Sequence, residues 1–249
     1  MERRQSKVKV LVIGDSCEDV FIYGNITRVA PEAPVPVVVP VRQESNPGMA
    51  GNVVANLEAL GAEVDLITNE DPIRKIRYVD ERYNQMVLRV DENDSCKRYN
   101  GVYKTIEYNA IIISDYNKGF LTQEDIAAFS KRAECPVFLD TKKFLGNWCN
   151  DIDYIKINSL EHEKNIEKIS EHPLLKDKLI VTKGEHGCEY KNTLYPTVDV
   201  PVKDVSGAGD TFIAGLVYEY IISNDIKKAI KFAQECTTIV VQKPGVATI

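Results

Sequence analysis

No stretch of this chain stays apolar for the ~20 residues that a membrane-spanning helix needs, so a spanning helix is excluded on sequence alone. The basic opening "MERRQSK" leads into an apolar run only a strand long, with no small-residue cleavage site behind it. That is not a secretory signal, and a cytoplasmic protein is expected. Paired cysteines are also missing. Cys17, Cys96, Cys135, Cys149, Cys188 and Cys236 are scattered without a C-x-x-C, which reads as free thiols in a reducing compartment rather than disulfides or zinc ligands. The three histidines form no H-E-x-x-H. Positive charge is in deficit, with 31 Lys and Arg against 37 Asp and Glu, a net charge of −6. Such a balance argues against general affinity for nucleic acid or an anionic membrane, and an anionic substrate would need a local cluster of cations. Absent too are the P-loop, the G-x-G-x-x-G dinucleotide turn and the G-x-S-x-G elbow of serine hydrolases.

What is present is the pattern of one α/β domain spanning residues 1–249, 44% hydrophobic and 27% charged, with no repeat or interdomain linker. Continuous apolar runs that end in polar residues recur at 8–15, 108–116, 135–142, 153–159 and 178–184. Runs of this kind suit parallel strands covered on both faces. Helical spacing lies between and after them, at 49–61, where Val53, Ala55, Leu57 and Leu60 fall near one side, at 122–133 behind a Thr122 N-cap, and at 208–223 and 225–242. The alternation predicts a doubly wound, mostly parallel sheet with helices on both faces. Ligands of such sheets bind beyond the carboxyl ends of the strands, where Asp15, Asp115, Asp140, Asn158 and Lys183 fall. Two segments break the alternation. The Pro-punctuated "PEAPVPVVVPVRQ" (31–43) reads as an edge or flap strand, and 75–91 reads as a hairpin turning near Arg82–Asn84. Together, segments of about 16–43 and 75–91 are expected to form a small β-lid over the strand ends.

The stretch "DVSGAGDTF" (204–212) runs from a Gly-Ala-Gly turn into an apolar helical pattern. Gly207, Ala208 and Gly209 would present backbone amides at a helix N-terminus, where the dipole favours an anion. An aspartate in that first turn is commonly a simple complement to the dipole. Beside a bound phosphoryl group, however, Asp210 would repel it unless it faced an acceptor hydroxyl, which is the position of a general base. Spacing alone leaves both readings open.

The same stretch resembles the C-terminal signature of the ribokinase-like (PfkB) carbohydrate kinases, and "NPGMAGNVVANLEALGA" (46–62) resembles their N-terminal glycine signature. Within that family "RVAPEAPVPVV", "RYNQMVLRVD", "SDYNKGFL", "LDTKK" and "NSLEHE" are similar to the D-glycero-β-D-manno-heptose 7-phosphate kinases, and the likeness runs nearly the whole chain. Nothing resembles the nucleotidyltransferase that accompanies that kinase in bifunctional relatives. The resemblance implies ATP-dependent phosphorylation of the anomeric hydroxyl of a heptose 7-phosphate to the 1,7-bisphosphate. A kinase for another sugar, and a catalytically reduced ligand-binding or scaffold protein on the same fold, are the alternatives.

By the same resemblance Asp210 is the base and Gly207, Ala208 and Gly209 form the anion hole. Asn158 and Glu161 organise Mg2+, through water, around the phosphates. Thr182, Lys183, Gly184 and Gly187 form the nucleotide-side turn, and Lys243 and Gly245 belong to a loop beside the adenine. Asp15, Gly48 and Asn52 contact sugar hydroxyls, while Arg89, Lys118 and Lys142 are candidates for holding anionic groups. ATP and Mg2+ are the implied cofactors, with a monovalent cation as a further candidate, and a homodimer through the β-lid is the implied assembly. Three departures stand out. Met49 occupies a glycine position of a sugar-facing turn. Roughly one βα unit is missing between "AEVDLIT" and the hairpin, and the chain stops after "GVATI", where the family continues into a last helix.

Overall fold

The computed structural model of the chain describes residues 8–101 and 107–249, so the basic opening lies outside the described residues. Strands β1 (Lys9–Gly14), β4 (Glu63–Thr68), β7 (Ala110–Asp115), β8 (Val137–Thr141), β9 (Tyr154–Asn158), β10 (Leu179–Thr182), β11 (Cys188–Tyr190) and β12 (Thr193–Tyr195) form an eight-stranded sheet. Its order is β12-β11-β10-β9-β8-β7-β1-β4, parallel from β4 through to β10 and antiparallel at β11 and β12.

Because successive strand residues face opposite sides, one apolar run serves two cores. Val10 and Val12 of β1, with Ala110 and Ile112 of β7, pack against α1 (Ala50–Ala59), α5 (Ala208–Ser223) and α6 (Ile226–Val240). Leu11, Ile13, Ile111 and Ile113 face the other way, towards α2 (Gln123–Arg132), α3 (Ser159–Glu171) and the short α4 (Pro173–Lys176). Each fully buried aliphatic side chain of this kind contributes about 1.5–3 kcal/mol. Burial on both faces is the physical reason the strands read as unbroken apolar runs.

A second sheet, ordered β3-β2-β5-β6, joins β2 (Ser16–Val29), β3 (Pro36–Met49), β5 (Arg74–Asp80) and β6 (Gln85–Glu92). Only Asp15 separates it from β1. The Pro-rich segment splits: residues 31–34 make the bend, and Pro36 and Pro40 lie in β3 at the sheet edge, Pro40 beside a register shift. An edge or an irregularity is where a missing N–H costs no ladder bond. Strand β2 lies within the flap expected from sequence, whereas β3 runs beyond it to Met49.

Two details depart from the sequence reading, and a third accords with it. Helix α3 and the β11–β12 hairpin lie outside its expected elements, and α3 buries only Asn165 and Ile169, so it has almost no apolar stripe to detect. On α1 the fully buried side carries Asn52 and Asn56 with Val53 and Leu57, while Ala55 and Leu60 are only half-buried. Strand β4 is the edge of the main sheet, and residues 69–73 alone connect it to β5. No described helix is long and apolar enough to cross a membrane.

Candidate active site

The C-terminal ends of β1, β7, β8, β9 and β10 converge on the N-terminus of α5. That helix opens at Gly207, whose left-handed φ of 79° is one that L side chains rarely adopt. A Cβ there would also stand 2.5 Å from Asn52 Nδ2. Among the described residues the Gly207 and Gly209 amides donate to no protein atom, whereas Ala208 N–H is taken by the Val205 carbonyl at 3.2 Å. Two of the three expected anion-hole donors are therefore free.

Asp210 follows, on the first turn of α5 and 3% exposed. Its carboxylate accepts a hydrogen bond from the Tyr116 hydroxyl at 2.7 Å and another from Asn52 Nδ2 at 3.1 Å. Burial pushes its pKa up to about 6, against the lowering effect of these two donors. Asn52 is held in turn by Asn56, which donates from Nδ2 to its Oδ1 at 3.0 Å, and Asn56 Oδ1 accepts from Thr211 Oγ1 at 3.3 Å. The two asparagines on the buried side of α1 thus exist to fix one carboxylate. A carboxylate so oriented, largely ionised at neutrality and beside free amides, can take a proton from a hydroxyl.

Tyr116 is the residue the sequence reading missed. It stands inside "SDYNKG", a stretch quoted for its likeness, but without a role of its own. Burial, followed by the neighbouring Asp210 charge, raises its hydroxyl well above the ordinary tyrosine value, so it stays a donor. Asp15 sets its position: the buried Asp15 carboxylate accepts from the backbone N–H groups of Tyr116 at 2.7 Å and Phe120 at 3.3 Å. Burial, then the Asp115 charge, raises the Asp15 pKa. Gly48, at the end of β3, packs its backbone against the Asp19 carboxylate. Met49 has φ 57°, 2% exposure, and packs with Cys17 and Ile73. The glycine that the resemblance implies at that position would suit this backbone, and the methionine occupies it with a side chain that packs beneath the second sheet.

A second cluster lies beneath the turn. Lys156 and Asp140, both buried, pair at 2.6 Å, and a Cβ on Gly209 would stand 2.8 Å from Lys156 Nζ. The glycine is what lets this ammonium reach the base of the anion hole. Burial disfavours charge on Asp140, but Lys156 and Lys142 together outweigh it and hold its pKa low. Lys142 also pairs with Glu161. Asn158 and Glu161 form a capping box at the start of α3, with Glu161 N–H donating to Asn158 Oδ1 at 2.9 Å and Asn158 N–H donating to Glu161 Oε2 at 2.8 Å. Lys142 is thus brought to the site, whereas the other two candidate cations are engaged elsewhere. Arg89 is clasped by Asp91 at 2.6 and 2.7 Å on exposed β6, and Lys118 pairs with Asp94 at 2.5 Å.

On the far side of the turn, Thr182, Gly184, Gly187, Ala208, Gly209, Phe212 and Thr237 border a cavity of about 130 Å3. It continues past Gly184 and Thr197 into a hollow of about 570 Å3 lined by Val198, Val200, Val202, Val205 and Val241. Lys183 turns to Glu189 and borders neither. Lys243 and Gly245, expected in a loop beside the adenine, do not border this groove. Lys243 lines a hollow with Asn46 and Asn52, and donates to the Thr248 carbonyl at 2.6 Å. Gly245 faces Phe21 and Ser206, held by Asp204 at 3.2 Å.

Parallel strands ending on a glycine-rich helix N-terminus, a fixed carboxylate and an adjoining groove define a phosphoryl-transfer enzyme of the ribokinase-like fold. Residues 88–249 match the pfkB family carbohydrate kinases, and the chain belongs to that family, an ATP-dependent carbohydrate kinase by class. It is 32% identical to the bifunctional protein HldE of a Nitratiruptor species, over 97% of this chain and 63% of that protein. It is 31% identical to the bifunctional protein HldE of Campylobacter jejuni, over 98% of this chain and 63% of that protein. The chain therefore spans a little under two thirds of these curated relatives. The first alignment runs over 294 positions against 249 residues here, so at least 45 aligned positions have no counterpart in this chain, in keeping with the short β4–β5 connection. Among solved structures, ribokinase from Thermotoga maritima superposes with a TM-score of 0.69 at 16% identity, covering 96% of this chain and 94% of that one. Arabidopsis thaliana ribokinase, complexed with ribose and ATP, gives 0.70 at 15% identity, covering 96% and 94%.

Proposed function

We propose that this chain transfers the γ-phosphoryl group of ATP to the anomeric hydroxyl of D-glycero-β-D-manno-heptose 7-phosphate, giving the 1,7-bisphosphate and ADP. The observation that carries the reading is the Asp210 carboxylate, buried, held by two donors, titrating at about 6 and set beside the free Gly207 and Gly209 amides. As the bond from the sugar oxygen to phosphorus forms and the bond to ADP breaks, Asp210 receives the hydroxyl proton. The two amides and Lys156 meet the charge on the transferring group. The groove from Thr182 to Thr237 takes the phosphate tail, and the valine-lined hollow takes the base. What supports the heptose phosphate as acceptor is the set of heptose 7-phosphate kinase motifs along the chain, together with relatives of about that identity across nearly all of it.

The donor set fits a magnesium ion held largely by water and phosphate. Among the described residues no three carboxylate, histidine or cysteine groups form a cage, while Glu161 sits at the site and Asp140 Oδ1 is buried without a hydrogen-bond donor. Asn158 and Glu161 would hold the ion through water, and its charge would neutralise the phosphates.

The test is ADP release by the purified protein with Mg-ATP across the heptose 7-phosphate, fructose 6-phosphate, ribose and fructose. Turnover confined to the heptose phosphate is the expected result, and turnover on another sugar alone would refute the acceptor. A homodimer through the second sheet accords with the exposed Val39, Val41, Leu88 and Val90 on its edge strands. Light scattering should then give twice the 28.0 kDa chain mass, and a monomer at working concentration would refute it.

A further inference from the structure

The acceptor proposed above carries its own phosphate, which an acidic protein must meet with a cation, and the three cations singled out from sequence each already hold a carboxylate. Another is unclaimed. Lys75 is the second residue of β5, opposite Asp19 of β2 and Asp91 of β6, and cross-strand partners share one face of a sheet. That face looks onto the active site, because Lys75 Nζ stands 5.2 Å from the centre of the Tyr116 ring. Both acidic neighbours are taken. Arg77 binds Asp19, and Arg89 clasps Asp91 with two bonds. Lys75 is therefore 9% exposed with no ion pair or hydrogen bond to its ammonium among the described residues. A cation so buried is costly unless something arrives to pair with it.

We infer that Lys75 anchors the acceptor's own phosphate ester, with the Arg77 guanidinium two residues along the same face as its neighbour. Tyr116 relates the two ends of the acceptor: its hydroxyl fixes the base that meets the reacting hydroxyl, and its ring carries the ammonium that meets the phosphate. The separation of the two groups is no more than that ring and its two contacts, which a single sugar bridges. A sugar lacking the ester leaves the ammonium unpaired, so the site selects phosphorylated acceptors. The inference rests on the proposed acceptor class but not on which sugar bears the phosphate.

The experiment compares Lys75→Met and Lys75→Arg with the wild type. It reads kcat and KM for each sugar phosphate, for the matching unphosphorylated sugar and for ATP, with inorganic phosphate as a competing probe. A lost charge-assisted contact predicts a KM for the phosphorylated acceptor raised about 10- to 100-fold in Lys75→Met and largely restored in Lys75→Arg. The KM for ATP should not change, inhibition by inorganic phosphate should weaken, and the melting temperature should be equal or higher. An unchanged KM for the phosphorylated acceptor would overturn the inference while leaving the heptose reading intact. An equal loss on phosphorylated and unphosphorylated sugars would also overturn it, since the lysine would then merely brace the second sheet on Tyr116. Wild-type turnover on fructose 6-phosphate instead, with the same Lys75 dependence, would sustain the inference and remove the heptose.

Discussion

Replacing Asp210 by asparagine should abolish turnover and yet make the protein more stable, by an amount that depends on pH. The folded chain holds the Asp210 proton up to about pH 6, whereas an unfolded chain releases it near pH 4. Between those values the folded state binds more protons, so stability falls as pH rises and levels off above 6. A shift from 3.8 to about 6 corresponds to about 3 kcal/mol at pH 8. Asparagine removes that cost but offers one acceptor where two donors, Tyr116 and Asn52, now converge. The tyrosine hydroxyl can rotate to accept, so the mismatch takes back about 1 kcal/mol. The net gain at pH 8 is about 2 kcal/mol, or roughly 4–8 °C for a chain of this size. At pH 4 the titration gain is gone and only the mismatch remains, so the variant should melt no higher than wild type and as much as about 2–4 °C lower. Thermal melts at the two pH values, with calorimetry of ADP binding and a coupled ADP-release assay, make the test. The expected result is a higher melting point at pH 8 only, nucleotide affinity within a few fold of wild type, and kcat down about 100- to 10,000-fold. A melting point that falls at pH 8, or rises equally at both pH values, would refute the view of Asp210 as a strained buried charge. Undiminished kcat would refute its role as base.

Tyr116→Phe removes a donor that stabilises the Asp210 anion, so the acid limb of the pH–rate profile, near 6 in the wild type, should move up by about one unit; a limb that stays put or moves down counts against the bond at the base. Lys156→Ala leaves Asp140 buried without its main cation, and chemical denaturation should show a loss of about 3–5 kcal/mol, whereas a loss below about 1 kcal/mol would mean the pair is not dry.

Much of the main sheet could be read from sequence because its strands are buried on both faces and cannot alternate: β1 and β7 announce themselves as apolar runs, and Thr122 and Gly61 mark helix ends as their chemistry requires. Asp210 and its glycines stood out for the same reason, since a helix N-terminus and a tight turn leave a local signature. Tyr116 and Lys75 left none. Each acts through a neighbour distant in sequence, Tyr116 on Asp210 and Lys75 on Tyr116, and a lone tyrosine or lysine carries no spacing. Arg89 and Lys118 fail as free cations because each is already held by a carboxylate, Arg89 by Asp91 two residues along the same strand and Lys118 by Asp94, distant in sequence. Helix α3 is legible only through its cap, because Asn158 and Glu161 satisfy each other's backbone while its body buries almost nothing.

Asp15 is both the single residue that joins β1 of the main sheet to β2 of the second and the acceptor that carries the Tyr116 backbone. Any turn of the four-stranded sheet about that junction would pivot on the residue that is bonded to the tyrosine aiming the base. The seating of the second sheet and the aim of Asp210 thus run through one carboxylate.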